Sequence, residues 1–347
     1  MGMKTDKNFV KRTNREKLQE KYFPKPEFIE RMERLIGKED AQKFFEISYF
    51  SSPDSIRCNT LKIAPEELKK RLEAKGWTIS QPFEKYPEIM IVERESKLKP
   101  GDMGKQYEHL LGYYYVQEIS SMLPILALQP KPGDFLLDLC ASPGSKTTQA
   151  AAMMENQGTI IANEVSIGRI RILNSNLEKC GVMNTVVTRK DGVHFCKTIR
   201  KKTKIRFDKI LVDAPCSGEG TLRKSPKTFQ MWNVKFIKSL SDLQKRLAVE
   251  ALRILKVNGE MIYSTCTLSP EEDEEVVNFL KKNFDIEIEE ISLPLKMRCG
   301  ICEWDGKEYD ESLKNACRLY PQDNNTDGFF LAKIRKLSDK CLLEEER

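Results

Sequence analysis

Histidine is scarce in this sequence: His109 and His194 are the only two in 347 residues. Long apolar runs are missing too, and none approaches the roughly 20 residues that a membrane span requires. The opening stretch MGMKTDKNFVKRTNREKLQEKYFPKPE is basic throughout and lacks the apolar core of a secretory leader, so a cytosolic protein with no membrane partner is expected. The 10 cysteines sit mostly inside apolar runs of a chain without an export signal, which favours reduced thiols over a disulfide framework. Cys299 and Cys302 form a C-x-x-C, yet no second close pair and no nearby histidine completes four ligands, so no metal is expected. Internal repeats and low-complexity segments are absent. A strong charge imbalance is absent as well: 58 basic against 52 acidic residues leave +6, a weak pointer to nucleic acid. The distribution says more, with Lys4, Lys7, Lys11, Arg12, Arg15 and Lys17 at the start and Lys197, Arg200, Lys201, Lys202, Lys204 and Arg206 in a second cluster. Either cluster equally suits a solvated face.

What is present is a chain 40% hydrophobic and 32% charged, long enough to bury a full core and hold two units. From Asp134 onward the periodicities alternate. DFLLDLC, GTIIANE, TVVTRKD, IRFDKILVDAPC and GEMIYSTCT read as strands. Between them, SKTTQAAAMMENQ, SIGRIRILNSNLEKCG with Gly181 as its stop, and a long stretch from Phe236 to Leu255 read as helices. Ser269, Pro270 and the acids of EEDEE open a further helix, where acids suit the N-terminal dipole. IEIEEISL and GFFLAKIRK add two strands, giving a doubly wound α/β sheet closed by a β-hairpin. Before Pro130 the pattern is that of a small α+β unit: FIERMERLIGKEDAQKFFEISY and PEELKKRLEAKG helical, SIRCNTLKI, GWTIS and IMIVERE extended. YYYVQEISSMLPILAL is expected as a helix docking this unit on the sheet.

In an open parallel sheet, ligands bind beyond the carboxyl ends of the strands. The first run ends DLCASPGSKT, whose spacing is wrong for a phosphate-binding G-x-x-x-x-G-K-[ST] loop, so a nucleotide triphosphatase is disfavoured. A small-residue turn entering a helix still suits a nucleoside-bearing cofactor such as S-adenosylmethionine. The next two runs end on Glu164, placed for ribose hydroxyls, and Asp191, placed for an adenine amino group; each could instead cap a helix. Two further runs end on Asp213 with Cys216 and on Cys266. A buried cysteine is usually a small hydrophobe, which serves for Cys58, Cys140, Cys180 and Cys196 but not for thiols at exposed strand ends. Thiolate, acid and methyl donor together suit one chemistry: a thiolate adds to C6 of cytosine and makes C5 nucleophilic, while the acid holds the N3 and N4 edge of a flipped base.

DLCASPGSKT, VDAPCSGEGTLRK, YSTCTLSPEEDEEVV and RLYPQDNNTDGFFLAKI, with RCNTLK and YVQEISSMLP upstream, together resemble the NOL/NOP/SUN family of RNA cytosine-5 methyltransferases. The resemblance runs from about Ile56 to Lys336. It implies a Rossmann-like methyltransferase core (130–337) that uses S-adenosylmethionine and a helical and RRM-like N-terminal region (1–129); the last residues, SDKCLLEEER (338–347), read from the sequence as a frayed or helical tail. It implies Cys266 as nucleophile, Cys216 as the thiol that promotes product release, Lys146 in the active site and Asp213 touching the base. Cys140, Ala141, Pro143, Gly144, Lys146, Glu164, Arg169, Asp191 and Asp213 become the expected cofactor contacts. Arg57, Arg223 and Lys224 become candidates for phosphate contact. Where the family often carries Pro-His, this chain has Pro321-Gln322. The expected substrate is RNA, tRNA before rRNA, handled by a monomer with no protein partner; a non-catalytic RNA-binding factor on the same fold is the rival reading.

Overall fold

The computed structural model describes residues 21–93 and 101–343. The basic cluster from Lys4 to Lys17 lies outside the described residues. Two amphipathic helices come first, α1 (Pro26–Ile36) and α2 (Lys38–Ile47), α1 opened by a proline at its first turn. Phe28, Met32 and Phe44 do not pack on the neighbouring N-terminal sheet. They join Leu222, Phe229, Trp232 and Leu268 in a separate core, which fastens this helical pair to the loop beyond Cys216.

β1 (Asp54–Cys58), α3 (Pro65–Glu73), β2 (Ile79–Ser80), β3 (Ile89–Val92) and β4 (Tyr114–Val116) build a four-stranded antiparallel sheet of order β2-β3-β1-β4. That is the RRM-like strand order, with α3 covering one face through Leu68 and Leu72. The stretch expected as a single docking helix divides: Tyr114, Tyr115 and Val116 pair with β1 as an edge strand, and a 3-10 turn (Ser120–Met122) then runs into the α-helix Leu123–Leu128 (α4). Pro124 sits in the first turn of α4, where its missing N–H costs no helix hydrogen bond, and Leu123 before it already has helical backbone. α4 is wholly buried and packs with Leu136, Ile160, Leu211 and Ile262 beneath the large sheet.

The large sheet alternates β5 (Phe135–Asp138), α5 (Ser145–Met153), β6 (Thr159–Asn163), α6 (Ile167–Cys180), β7 (Thr185–Thr188), α7 (Gly192–Lys202), β8 (Phe207–Asp213), α8 (Val234–Ile254) and β9 (Leu255–Thr265). The parallel order is β7-β6-β5-β8-β9. The order in which the chain adds strands reverses between β5 and its parallel neighbour β8, which places the ligand crevice beside the end of β5. After α9 (Glu274–Asn283), β10 (Phe284–Glu289) leads to short β11 (Arg298–Cys299), the β12–β13 hairpin (Glu303–Trp304, Lys307–Glu308), β14 (Cys317–Leu319) and β15 (Phe329–Cys341). β15 runs antiparallel to β9 on one side and to β14 and then β10 on the other. β10 and β15 are therefore partners, as expected, but not a hairpin, since β11 to β14 intervene. The tail expected from 338 onward is corrected at its start: Ser338 to Cys341 continue β15, with Cys341 opposite Phe284. Among the described residues no helix is long and apolar enough to cross a membrane.

Candidate active site

Five strand ends converge on one edge of the sheet. β5 delivers Asp138 and then the turn Cys140 to Gly144, which contains a cis Ser142–Pro143 bond and ends on Gly144 at φ +99°. A side chain at Gly144 is disfavoured by that backbone region, and Leu173 Cδ1, 2.9 Å from where a Cβ would sit, would have to shift as well. The turn releases α5 so that Lys146, one residue into the helix, points back over the sheet edge. Its Nζ lies 2.8 Å from Asp213 Oδ2 and donates to Ser121 Oγ at 3.1 Å, above the ring of Phe329. Ser264 Oγ donates to the other Asp213 oxygen at 2.8 Å. Asp213 is thus oriented from both sides while a part of it stays open to the cavity.

Cys216 and Cys266 leave neighbouring strands β8 and β9, and their sulfurs are 3.1 Å apart. Two glycines make this approach: Gly220 N–H donates to the Cys266 carbonyl and Gly328 N–H to the Gly220 carbonyl, both at 2.9 Å. The hydrogen bond with Cys266 is the main cause, followed by burial, that pushes the Cys216 thiol well above its ordinary value. The protonated form of Cys216 is therefore favoured, with its sulfur within hydrogen-bond distance of Cys266. Beneath the pair, the buried Glu272 carboxylate is pushed up to about 7, by burial before its other neighbours. Burial also drives Asp138 up to about 7, although Thr147 Oγ1 donates to it at 2.7 Å.

A cavity of about 270 Å³ extends from the thiols along the strand ends. Cys140, Glu164, Arg169, Asp191, Asp213, Cys216 and Cys266 all line it. Glu164 is buried, accepts from Ser166 N–H at 2.9 Å and pairs with Arg169 at 3.3 Å. Asp191 caps α7, taking the His194 N–H at 2.9 Å, and still borders the cavity. Ala141, Pro143 and Gly144 shape the turn without lining the space: Pro143 offers its carbonyl to Asn176 Nδ2 at 2.8 Å. Carboxylates at Glu164 and Asp191, on a cavity whose wall also includes the apolar Leu139, Val165, Leu243 and Leu247, fit a nucleoside with a hydroxylated ribose and apolar faces.

Two of the three expected phosphate contacts are corrected. Arg57 is buried and spends its guanidinium on Gln117, the Ser145 carbonyl (2.7 Å) and Thr148 Oγ1 (2.8 Å), tying β1 to the start of α5. Arg223 is buried as well, holding the carbonyls of Phe50, Ser51 and Thr326 and the side chain of Asn325. Only Lys224 of the three is exposed, with Asp327 2.8 Å away. Sequence reasoning also missed Ser121, Ser264 and the pair Ser217 and Thr267. The last two had a signal, a hydroxyl immediately after each cysteine.

The parallel order with an antiparallel β15 beside β9, and the acids at successive strand ends, define a Rossmann-like methyltransferase that uses S-adenosylmethionine. Comparison with known proteins narrows the class. Residues 125–335 match the family described as 16S rRNA methyltransferase RsmB/F, and residues 24–119 match the N-terminal domain of 16S rRNA methyltransferase RsmF. A tRNA (cytosine(49)-C(5))-methyltransferase of Pyrococcus abyssi is 41% identical over 88% of this chain and 95% of its own. The ribosomal RNA small subunit methyltransferase F of Vibrio cholerae is 40% identical over 82% of this chain, which spans only 58% of that protein. Among solved structures, a methyltransferase homolog from Pyrococcus horikoshii superposes with a TM-score of 0.80 at 35% identity, covering 94% of this chain and 100% of that one. NSun6 from the same organism, crystallised with SFG, gives 0.76 at 26% identity over 90% and 98%. The chain belongs to the RsmB/F family of RNA cytosine-5 methyltransferases, of the NOL/NOP/SUN type.

Proposed function

We propose that this chain methylates C5 of a cytidine in tRNA, with Cys266 as the nucleophile and Cys216 as the thiol that frees the product. The observation that carries the reading is the 3.1 Å contact between two sulfurs at the head of a cavity that also reaches Glu164 and Asp191. Bound S-adenosylmethionine supplies an electrophilic methyl group. Glu164 would hold its ribose hydroxyls and Asp191 its adenine, with Cys140 and the turn before α5 at the amino acid end. Cys266 Sγ adds to C6, and electron density moves to C5, which becomes the nucleophilic carbon. Asp213, set by Lys146 and Ser264, faces the N3 and N4 edge and fixes the ring. After transfer the C5–H bond breaks, its proton passing to water and its electron pair forming the C5–C6 double bond as the C6–S bond breaks. Its electron pair returns to Cys266, where the Cys216 S–H is already placed to receive it with a hydrogen bond.

The tRNA preference is supported by the 41% identity that extends over 95% of the Pyrococcus abyssi protein; rRNA is the second reading, supported by the Vibrio cholerae relative. Reduced thiols at the centre suit a cytosolic enzyme, working as a monomer. The test is transfer of labelled methyl groups to unmodified tRNA and rRNA fragments, resolved on denaturing gels. Cys266→Ala abolishes both label and covalent RNA complex, whereas Cys216→Ala accumulates the complex. The opposite pattern overturns the roles, and label in rRNA alone overturns the substrate.

A further inference from the structure

Glu271, Glu272, Asp273 and Glu274 look in the sequence like solvent-facing acids on a helix start. In the structure all four are buried, and α9 begins only at Glu274. Glu272 has no part in the steps above, yet its carboxylate is aimed at the thiol loops. It accepts from Ser217 N–H at 3.0 Å, from Ser217 Oγ, and from Gln244 Nε2 at 2.8 Å. The same Gln244 nitrogen donates to the Pro215 carbonyl at 2.8 Å. Both neighbours of Cys216 are therefore tied to one carboxylate, Ser217 directly and Pro215 through Gln244. Ser217 Oγ is also 2.8 Å from Thr267 Oγ1, which follows Cys266. On the far side, Thr265, which precedes Cys266, donates to Asp273 Oδ1 at 2.6 Å. Burying a carboxylate is costly unless its hydrogen bonds are worth the desolvation. Here those bonds join the two loops whose sulfurs must meet.

We propose that Glu272 is a positioning residue for product release, holding the Cys216 loop against the Cys266 loop through Ser217 and Gln244. This rests on the thiol roles assigned above. Attack by Cys266 depends on its own strand, β9, and on Asp273; release depends on Cys216 staying within reach of the departing sulfur. Glu272→Gln keeps the shape of the side chain but presents an amide N–H₂ where a second acceptor oxygen stood.

The experiment uses the full chain with unmodified tRNA in single turnover, for wild type, Cys216→Ala, Glu272→Gln, Ser217→Ala and the Glu272→Gln/Ser217→Ala double variant. Formation of the covalent RNA complex and its decay are followed separately on denaturing gels, with Tm for each protein. For Glu272→Gln the expected result is decay slowed about tenfold or more and formation changed less than about threefold, the step-specific pattern of a misplaced group. Ser217→Ala moves decay the same way by less, and the double variant falls short of the sum of the two single effects, since both variants disturb the Ser217 Oγ bond to Glu272. Wild-type decay in Glu272→Gln, parallel losses in both steps, or additive single effects overturn the proposal. Ser217→Ala, which loses only a hydroxyl, carries the test if Glu272→Gln does not fold. Should Cys266→Ala still form the complex, the thiol assignment fails first and the proposal falls with it.

Discussion

Gly220→Ala is the sharpest probe of how the thiols are brought together. Gly220 has an ordinary backbone conformation, so alanine is not strained there by φ. The obstacle is space: a Cβ would stand 2.2 Å from the Gly328 carbonyl oxygen and 2.8 Å from that of Cys266. Ordinary contact needs about 3.4 Å, so the Gly328 segment must retreat by about 1 Å, in line with the limits on overpacking. Such a shift breaks the 2.9 Å bonds from Gly220 N–H to Cys266 and from Gly328 N–H to Gly220. Two lost bonds at about 1 kcal/mol each and an overpacking cost of about 1–3 kcal/mol give a destabilisation of about 3–5 kcal/mol. Because the Cys266 carbonyl, 2.8 Å from the added Cβ, must yield as well, methyl transfer falls about 100-fold, the typical cost of a 1 Å misplacement. The assay pairs Tm with single-turnover methylation, using Gly306→Ala as the control. Gly306 has φ +74° and open space around its Cβ position, so it reports backbone strain of about 1 kcal/mol alone. Wild-type Tm and rate in Gly220→Ala would show that the glycine crossing does not set the sulfur contact, and the reasoning would be wrong.

Asp138 provides a test through pH. Its folded value, pushed up to about 7 from 3.8, means the folded state keeps a proton that the unfolded chain releases near pH 4. This contribution is full below pH 4 and is lost as pH rises through 7, by up to about 4 kcal/mol. Asp138→Asn should therefore gain Tm relative to wild type between pH 5 and pH 8; a difference that does not change with pH contradicts the assignment. For the RNA contacts, Lys224→Ala is expected to reduce the slope of log K against log salt by about 0.7 to 0.9. Arg223→Ala should leave that slope unchanged and instead lower stability by about 3 kcal/mol, because its guanidinium serves buried carbonyls. Salt titration of tRNA binding beside thermal melts separates the two, and a slope change in Arg223→Ala would restore it as a phosphate contact.

Much of the site was legible because its chemistry is local. An apolar run that stops on Asp213-Ala214-Pro215-Cys216, or on Thr265-Cys266-Thr267, announces a strand end whatever surrounds it. Glycine and proline in the turn before Lys146 do the same for the helix start. The alternation of periods 2 and 3.6 likewise carried the parallel sheet. Elements that failed did so where partners lie far off in sequence. Tyr114, Tyr115 and Val116 sit in a stretch that reads as helix and become a strand because β1 offers an edge. Ser338 to Cys341 extend a strand because Phe284 lies alongside.

By itself, then, the sequence determined the doubly wound core, the order of its strand ends and the residue types at them: two cysteines, a lysine and a series of acids. Only the tertiary structure decided which of those charges meet solvent and which are consumed by the fold. Arg57 and Arg223 look like any basic residue near a functional motif until buried carbonyls claim them, and Glu272 looks like a surface acid until Ser217 and Gln244 close on it. Burial and hydrogen-bond partnership arise between segments far apart in the chain, as with Arg223 and Phe50, 173 residues apart. No local pattern encodes that distance, and the 3.1 Å between the two sulfurs is set by the same long-range packing.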